Sequence, residues 1–322
     1  MARVLLIGKY PPIQGGTSAA AYWRIKELIN NGIDFEIVTS AVDKEYTTPY
    51  LKNDNLNFIN NKIPWHIPYS QLYSERLVSK GLEIAKIKEI DIVESNYLFP
   101  YGFAAYVISK IIHKPLLLRH AGSDLYRVSN DFSLRMILKE MAFHAKMIVT
   151  NEESKNKWKD IYENINLVVA PRYVPNPNYF IKTGENQGTA FLGKVTEKWN
   201  RQQLDYYYNC LKKLNYRGDI NIYSNEETTI IFKEYFEKRG YHVVGNGFVY
   251  PNQVPNILQK TKYLLISEIP SGIPEKSNIY LEGIISGCIP ICNFNYITKL
   301  DFDYDEYIKT QKMIYEELIA YE

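Results

Sequence analysis

The sequence predicts an α/β protein built from two doubly wound, parallel-sheet domains. Two observations predict it. Short apolar runs of strand length alternate with segments of helical period along the whole chain. That alternation stops at Pro171-Arg-Tyr-Val-Pro-Asn-Pro177, three prolines in a short linker, and then restarts. The expected domains are therefore 1–180 and 181–322. A chain of 322 residues is long enough for two domains of ordinary size.

Composition narrows the class. Net charge is +2, which implies no nucleic-acid partner. No apolar run approaches the length of a membrane span, and Met1–Gly8 reads as a first strand rather than a leader. The three cysteines, Cys210, Cys288 and Cys292, lack metal-ligand spacing and fit a reducing compartment, so a cytoplasmic location is expected.

Val4–Ile7 reads as a buried strand. The loop Gly8-Lys-Tyr-Pro-Pro-Ile-Gln-Gly-Gly16 follows, and Thr17 or Ser18 is expected to cap a helix with apolar residues at 21, 22, 25, 28 and 29. Phe35–Thr39 is the next strand. A Gly15-Gly16 pair at a helix start lets a diphosphate approach the backbone, although such pairs are also ordinary turn punctuation. Residues 41–68 are irregular apart from a short strand at 57–59. A helix at 69–87, a strand at 91–94 and an apolar helix at 100–112 come next. No basic amphipathic helix argues for a membrane surface. Leu116–His120 is a strand whose end carries His120 beside Gly122-Ser-Asp124. A lone histidine is more often structural, but this one stands at a strand end. A helix at 132–145, a strand at 147–150, a helix capped by Asn151 and a strand at 167–170 complete the first half.

In the second half, Thr189–Leu192 is a strand and Gly193-Lys-Val-Thr-Glu-Lys198 a loop. Lys194 and Lys198, with Arg201 competing for the second place, are cations suited to a diphosphate. A Tyr-rich helix at 200–214, a strand at 219–223, a helix at 228–239 and a strand at 243–245 follow. Gly247-Phe248 precedes a helix at 252–261. Tyr263–Ile266 is a buried strand. It ends in a Pro/Gly loop that feeds a helix around 278–286, stopped by Gly287, and a strand at 289–292. Open α/β sheets bind ligands at the carboxyl ends of their strands. A helix N-terminus there suits a phosphate, and Glu282 one turn in can accept hydrogen bonds from vicinal sugar hydroxyls. Asp301-Phe-Asp-Tyr-Asp305 precedes the last helix, about 306–320, and reads as a capping cluster, not a metal site.

The stretch Gly272-Ile-Pro274, Asn278-Ile-Tyr-Leu-Glu-Gly283, Gly287-Cys-Ile-Pro-Ile291 resembles the signature of GT-B glycosyltransferases of the retaining family 4 type, Glu-Gly-Phe-Pro-Asn-x-x-Leu-Glu-Ala-x-x-x-Gly-x-Pro-Val. The Tyr10-Pro-Pro and Gly15-Gly16 loop, the Pro175-Asn-Pro hinge with Phe180, and the Gly193-Lys194 loop resemble the same family. Glu275-Lys-Ser277 stands as an insertion. The family's first glutamate falls on Ser271, so Glu275 or Glu268 takes its place or the function is lost.

The resemblance implies two Rossmann-like domains facing a central cleft, with the last helix packing back on the first. It implies transfer of a sugar from a UDP- or GDP-sugar to a glycan or lipid-linked acceptor, with retention, without metal or cofactor, and with peripheral membrane contact where the acceptor is a lipid. By the same resemblance His120 and Glu275 are catalytic. Gly15, Gly16, Lys194, Lys198, Phe248, Asn278 and Glu282 hold the donor. A dinucleotide oxidoreductase is disfavoured, because no Gly-x-Gly-x-x-Gly follows the first strand. The alternative is a non-catalytic scaffold or nucleotide-binding protein of the same fold.

Overall fold

The computed structural model describes residues 2–41, 56–60, 70–171, 173–181, 187–193, 201–267, 277–292 and 303–320. They form an α/β protein with two parallel sheets. The chain divides into two compact units, 1–173 with 305–322, and 174–304.

In the first unit the strands are β1 (Arg3–Ile7), β2 (Asp34–Ala41), β3 (Leu56–Asn60), β4 (Ile92–Ser95), β5 (Leu116–Arg119), β6 (Met147–Thr150) and β7 (Leu167–Val169). Their spatial order is β3-β2-β1-β4-β5-β6-β7, and every pair is parallel. The order reverses between β1 and β4, which makes that point the natural ligand crevice. The helices are α1 (Gly16–Asn30), α2 (Ser70–Ile87), α3 (Phe103–Ile112), α4 (Ser123–Asn130), α5 (Phe132–His144) and α6 (Glu152–Ile161). One face of the sheet buries Leu5, Ile7, Val93, Leu116 and Leu118 against α2, α3, α5 and α6, with Trp158 fully enclosed. The strands read as unbroken apolar runs because both faces are covered.

The second unit holds α7 (Pro177–Phe180), β8 (Gly188–Leu192), α8 (Arg201–Lys213), β9 (Ile220–Tyr223), α9 (Glu226–Phe236), β10 (Val243–Gly245), α10 (Val254–Leu258), β11 (Thr261–Leu265), α11 (Asn278–Ile285) and β12 (Ile289–Ile291). Its sheet order is β10-β9-β8-β11-β12, again all parallel, with the reversal between β8 and β11. The chain then returns to the first unit as α12 (Tyr304–Ala320). There Ile314, Tyr315 and Leu318 pack beside α1 on the face of the first sheet opposite α2 and α3.

Four expectations change. The break between units falls at Tyr173, upstream of Phe180. The reason is that the later part of the linker is fastened to the second unit: Phe180 is buried, and Gln259 Nε2 donates to the carbonyls of Tyr179 and Ile181. Neither Thr17 nor Ser18 caps α1; Gly15 is its N-cap, with no side-chain cap, and Ser18 is buried. The segment expected as an α-helix from Pro100 is helical from there, but its first residues belong to a π-helical turn, Leu98–Gly102, kinked where Phe99 stands extended before the proline, and α3 proper begins at Phe103. Finally, α4 was not expected, since its only buried apolar residues, Leu125 and Val128, are too few to show a period.

Candidate functional site

Each sheet presents a carboxyl edge at its switch point. In the second unit, α11 begins at the edge reached from β11. Ser277 caps it, its Oγ accepting from the Tyr280 N–H. Gly283 lets the helix lie close on β11: a Cβ there would stand 2.4 Å from Leu264 Cδ2. At the other end Gly287, at φ +75°, completes a Schellman stop, with Cys288 N–H donating to Gly283 O and Gly287 N–H to Ile284 O. These contacts fix the helix along its length and so fix Glu282, one turn in and buried. Asn278 is the first helical residue and is half-buried.

Side chains of α8 close the same edge. Tyr207 OH and Gln203 Nε2 donate to Ile266 O, and Tyr206 OH donates to Cys292 O at 2.7 Å. The carbonyls just past β11 and β12 are thereby satisfied. Phe248 is half-buried in the loop after β10, behind Gly247 at φ +69°. Lys194, Lys198 and Glu275, with Glu268 and Ser271, lie outside the described residues.

In the first unit, Asn96 closes the switch point. Its Oδ1 accepts from the Lys9 N–H at 2.9 Å and its Nδ2 donates to Lys9 O at 2.8 Å. Gly8 is required beside it, since a Cβ would meet Asn96 Oδ1 at 2.4 Å. Past this clamp, Gly15 adopts φ +125° and Gly16 opens α1; both are exposed, and a Cβ on Gly15 would meet nothing within 4 Å. The backbone at the start of a long helix is therefore approachable, and its first turn carries no acidic residue to compete with an anion.

His120 sits at the end of β5. The Gly122 N–H donates to its Nδ1 at 3.0 Å, so Nδ1 accepts and the proton is on Nε2, which lies 2.8 Å from Thr150 Oγ1. Both ring nitrogens are engaged within the unit, and the ring stands edge-on to Trp158. This geometry holds the 120–122 turn; it offers a ligand neither a free lone pair nor a free proton.

Sequence reasoning missed two groups. Asp124 is buried, and its carboxylate accepts from the N–H groups of Leu98, Ala121 and Leu125, which ties the ends of β4 and β5 together. Burial pushes its carboxyl up, against those N–H groups and Lys9. Lys9 Nζ lies 3.6 Å from the centre of the Tyr97 ring, and Arg127 donates to Tyr97 OH at 3.1 Å. Burial lowers the Lys9 ammonium to about 8, with Asp124 opposing and Arg127 reinforcing the shift. The second group is an ion network under the edge: Glu94 accepts from Arg24 at 2.6 Å, from Arg119 at 3.0 Å and from Tyr315 at 2.6 Å. A glutamate inside an apolar strand and an arginine on the apolar face of α1 were the available signals. No group of acidic, histidine or cysteine side chains suited to a metal occurs among the described residues.

No protein-family model matches the sequence. An uncharacterized glycosyltransferase of Methanocaldococcus jannaschii is 21% identical over 276 residues, covering 84% of this chain and 73% of that one. The structure resembles Anabaena HepE in complex with UDP-glucose, at a TM-score of 0.63 and 13% identity over 90% of this chain and 80% of that one. The chain has the GT-B glycosyltransferase fold. Sucrose-phosphate synthase of Thermosynechococcus elongatus shares this GT-B architecture at a TM-score of 0.62, with 12% identity over 90% of this chain and 80% of that one. No helix among the described residues is long and apolar enough to cross a membrane.

Proposed function

We propose that this protein transfers a sugar from a nucleotide-sugar donor, UDP-linked in the first instance, to the hydroxyl of a glycan or lipid-linked acceptor. The observation that carries the reading is Glu282. It is a buried carboxylate one turn inside α11, whose N-terminus opens at the switch point of the second sheet. A carboxylate so placed accepts from the two ribose hydroxyls, while N–H groups at the helix start and the dipole favour a diphosphate. The glycosyltransferase relative supports the reaction class, and the UDP-glucose complex of HepE supports the choice of donor.

In this reading Asn278 and Phe248 contact the nucleotide, Phe248 at the base. Lys194, Lys198 and the backbone at Gly15 and Gly16 stabilise the charge that grows on the departing diphosphate. Glu275 binds the sugar hydroxyls or steadies positive charge at the anomeric carbon. His120 is a positioning residue that holds the 120–122 turn through Gly122 and Thr150. Transfer proceeds with retention and needs no metal ion, since lysines and helix N–H groups supply the countercharge.

The experiment is thermal shift and calorimetry against UDP, GDP, ADP and their sugar conjugates, for wild type and Glu282→Ala. A ligand that binds only the folded state raises its melting temperature. The expected result is a shift with a uridine nucleotide that Glu282→Ala abolishes. A chain that responds to no nucleotide is not a transferase of this kind. Once a donor is found, the anomeric proton coupling of the product tests retention, and activity in excess EDTA tests the metal.

A further inference from the structure

Lys9, Tyr97 and Arg127 follow the ends of β1, β4 and β5, three strands that are neighbours in the first sheet. They meet at its switch point, where open α/β sheets take ligands. Lys9 Nζ stands on the face of the Tyr97 ring, and Arg127 Nη2 donates to the hydroxyl of the same ring. Two cations are thus held within the span of one tyrosine. Asn96 fixes the Lys9 main chain at both its N–H and its C=O, so the residue is positioned from its backbone outward. Lys9 and Tyr97 are buried and Arg127 is exposed, so the cluster runs from the interior of the unit to its surface. The carboxylate beside them is Asp124, whose oxygens already accept from the N–H groups of Leu98, Ala121 and Leu125. Among the described residues, two cations therefore stand against one carboxylate that is tied to three N–H groups. Burial lowers the Lys9 ammonium, Asp124 opposes the shift and Arg127 adds to it. A methionine of similar length would fill the place at lower cost, so packing does not call for a charge there. Charges kept at such a cost in a ligand crevice cluster at functional sites.

Resting on the transferase reading, we propose that the acceptor sugar carries an anionic group, a phosphate or a carboxylate, and that Lys9 and Arg127 bind it beside Tyr97. The planar guanidinium of Arg127 pairs with either oxyanion through two N–H groups, and Lys9 adds a point charge. A neutral glycan gains nothing from the two cations, so they select for charge. The arrangement also makes binding depend on pH. The groups that face the Lys9 ammonium are Tyr97, Asp124 and Arg127. Burial raises the Tyr97 hydroxyl above its ordinary 10, away from the Lys9 value of about 8. An anion favours the protonated lysine, so above pH 8 its binding must take up a proton and weakens as the pH rises. The other anion of the reaction is the diphosphate of the donor, and titration with UDP separates the two.

The test is calorimetry of the full chain with glucose 6-phosphate, glucuronate, glucose and inorganic phosphate, each without nucleotide, and with UDP in a separate titration. One of the two charged sugars should bind about tenfold or more tightly than both glucose and inorganic phosphate. Which of them leads tells a phosphate from a carboxylate. Lys9→Met and Arg127→Gln should each weaken that binding about tenfold and leave UDP binding as in wild type. Above pH 8 the affinity should fall about tenfold per pH unit in wild type and stay level in Lys9→Arg, whose charge does not titrate there. A lysine with a structural role alone would give neither the slope nor the rescue. Charged sugars that bind no better than glucose overturn the proposal. So does inorganic phosphate bound as tightly as the charged sugar, which would mark an adventitious ion only, or equal binding by the two charge-removing variants. Loss of UDP together with the charged sugar in Lys9→Met also overturns it, since the pair would then serve the donor. Failure here with UDP bound leaves the transferase reading standing. A charged sugar bound by a chain that answers to no nucleotide leaves the anion subsite and sinks that reading.

Discussion

Tyr315, in the last helix, donates a hydrogen bond at 2.6 Å to Glu94 at the end of β4, across a sequence separation of 221 residues. Arg24 of α1 and Arg119 of β5 bind the same carboxylate, and Arg24 also donates to the Tyr315 hydroxyl. Burial alone would push the Glu94 carboxyl up; the two guanidiniums outweigh it and hold it low. Four elements that are distant in sequence thus close around one charge beneath the edge that carries the site. The apolar face of α12 supplies area, and the network supplies register.

Removing the charge should therefore cost more than removing the hydroxyl. Glu94→Gln leaves two buried guanidiniums short of a carboxylate and should destabilise the first unit by about 3–5 kcal/mol. Tyr315→Phe leaves the ion pairs and removes one bridging group, at about 1–3 kcal/mol. Urea unfolding of both variants ranks them; equal losses would mean that the hydroxyl, not the charge, organises the cluster. Because the folded carboxyl is held low, its contribution is complete above the ordinary carboxylate range and fades as the pH falls through the folded value. Wild type should lose stability below about pH 4 more steeply than Glu94→Gln.

Asp124 is a second clamp of a different kind. One carboxylate serves three backbone N–H groups, at Leu98, Ala121 and Leu125. Asp124→Asn turns one acceptor oxygen into an NH2 that faces an N–H, and should destabilise by about 1–3 kcal/mol. Amide hydrogen exchange should quicken at Leu98 and Ala121 before it quickens in β1. Exchange unchanged at those two amides would show that the carboxylate does not hold them.

The strands were legible because parallel strands buried on both faces are continuous apolar runs. Val4–Ile7, Leu116–Leu118 and Tyr263–Leu265 are of that kind. The stop of α11 at Gly287 was legible from cap chemistry, whereas its Ser277 cap was not read. The ion network was not, because partners in α1, β4, β5 and α12 have no shared spacing in one sequence. The partners of His120 were not legible either: that Thr150, on the neighbouring strand, stands at its second nitrogen is seen only in the fold.

Gly283 gives a packing test that is separate from chemistry. Alanine is the better helix former by about 1 kcal/mol, so an exposed Gly-to-Ala change would stabilise. Here the new Cβ would stand 2.4 Å from Leu264 Cδ2, in a site where Leu264 is buried. Gly283→Ala should instead destabilise by about 1–3 kcal/mol, and Leu264→Val, which removes that terminal carbon, should cost less in the Gly283→Ala background than in wild type. Additive losses in the double-mutant cycle would refute the contact. Since α11 carries Glu282, nucleotide affinity should fall with the packing defect and return with the rescue.

Lys9 sets the alkaline behaviour. Its ammonium is mostly buried against Tyr97, with Asp124 and Arg127 as the charged neighbours, and its folded value is about 8 against an ordinary 10.5. Below pH 8 both states hold the proton, and the fold bears the full penalty of a buried ammonium. Between about 8 and 10.5 the folded protein has released a proton that the unfolded chain still binds, so stability rises with pH across that window. Lys9→Met has no such proton. It should be more stable than wild type at pH 7, by up to about 3 kcal/mol less what the ring contact returns, and the two should converge by pH 10. Unfolding both in urea at pH 7 and at pH 9.5 decides the matter. A difference that stays constant with pH would mean that Lys9 is fully solvated or fully paired in the fold.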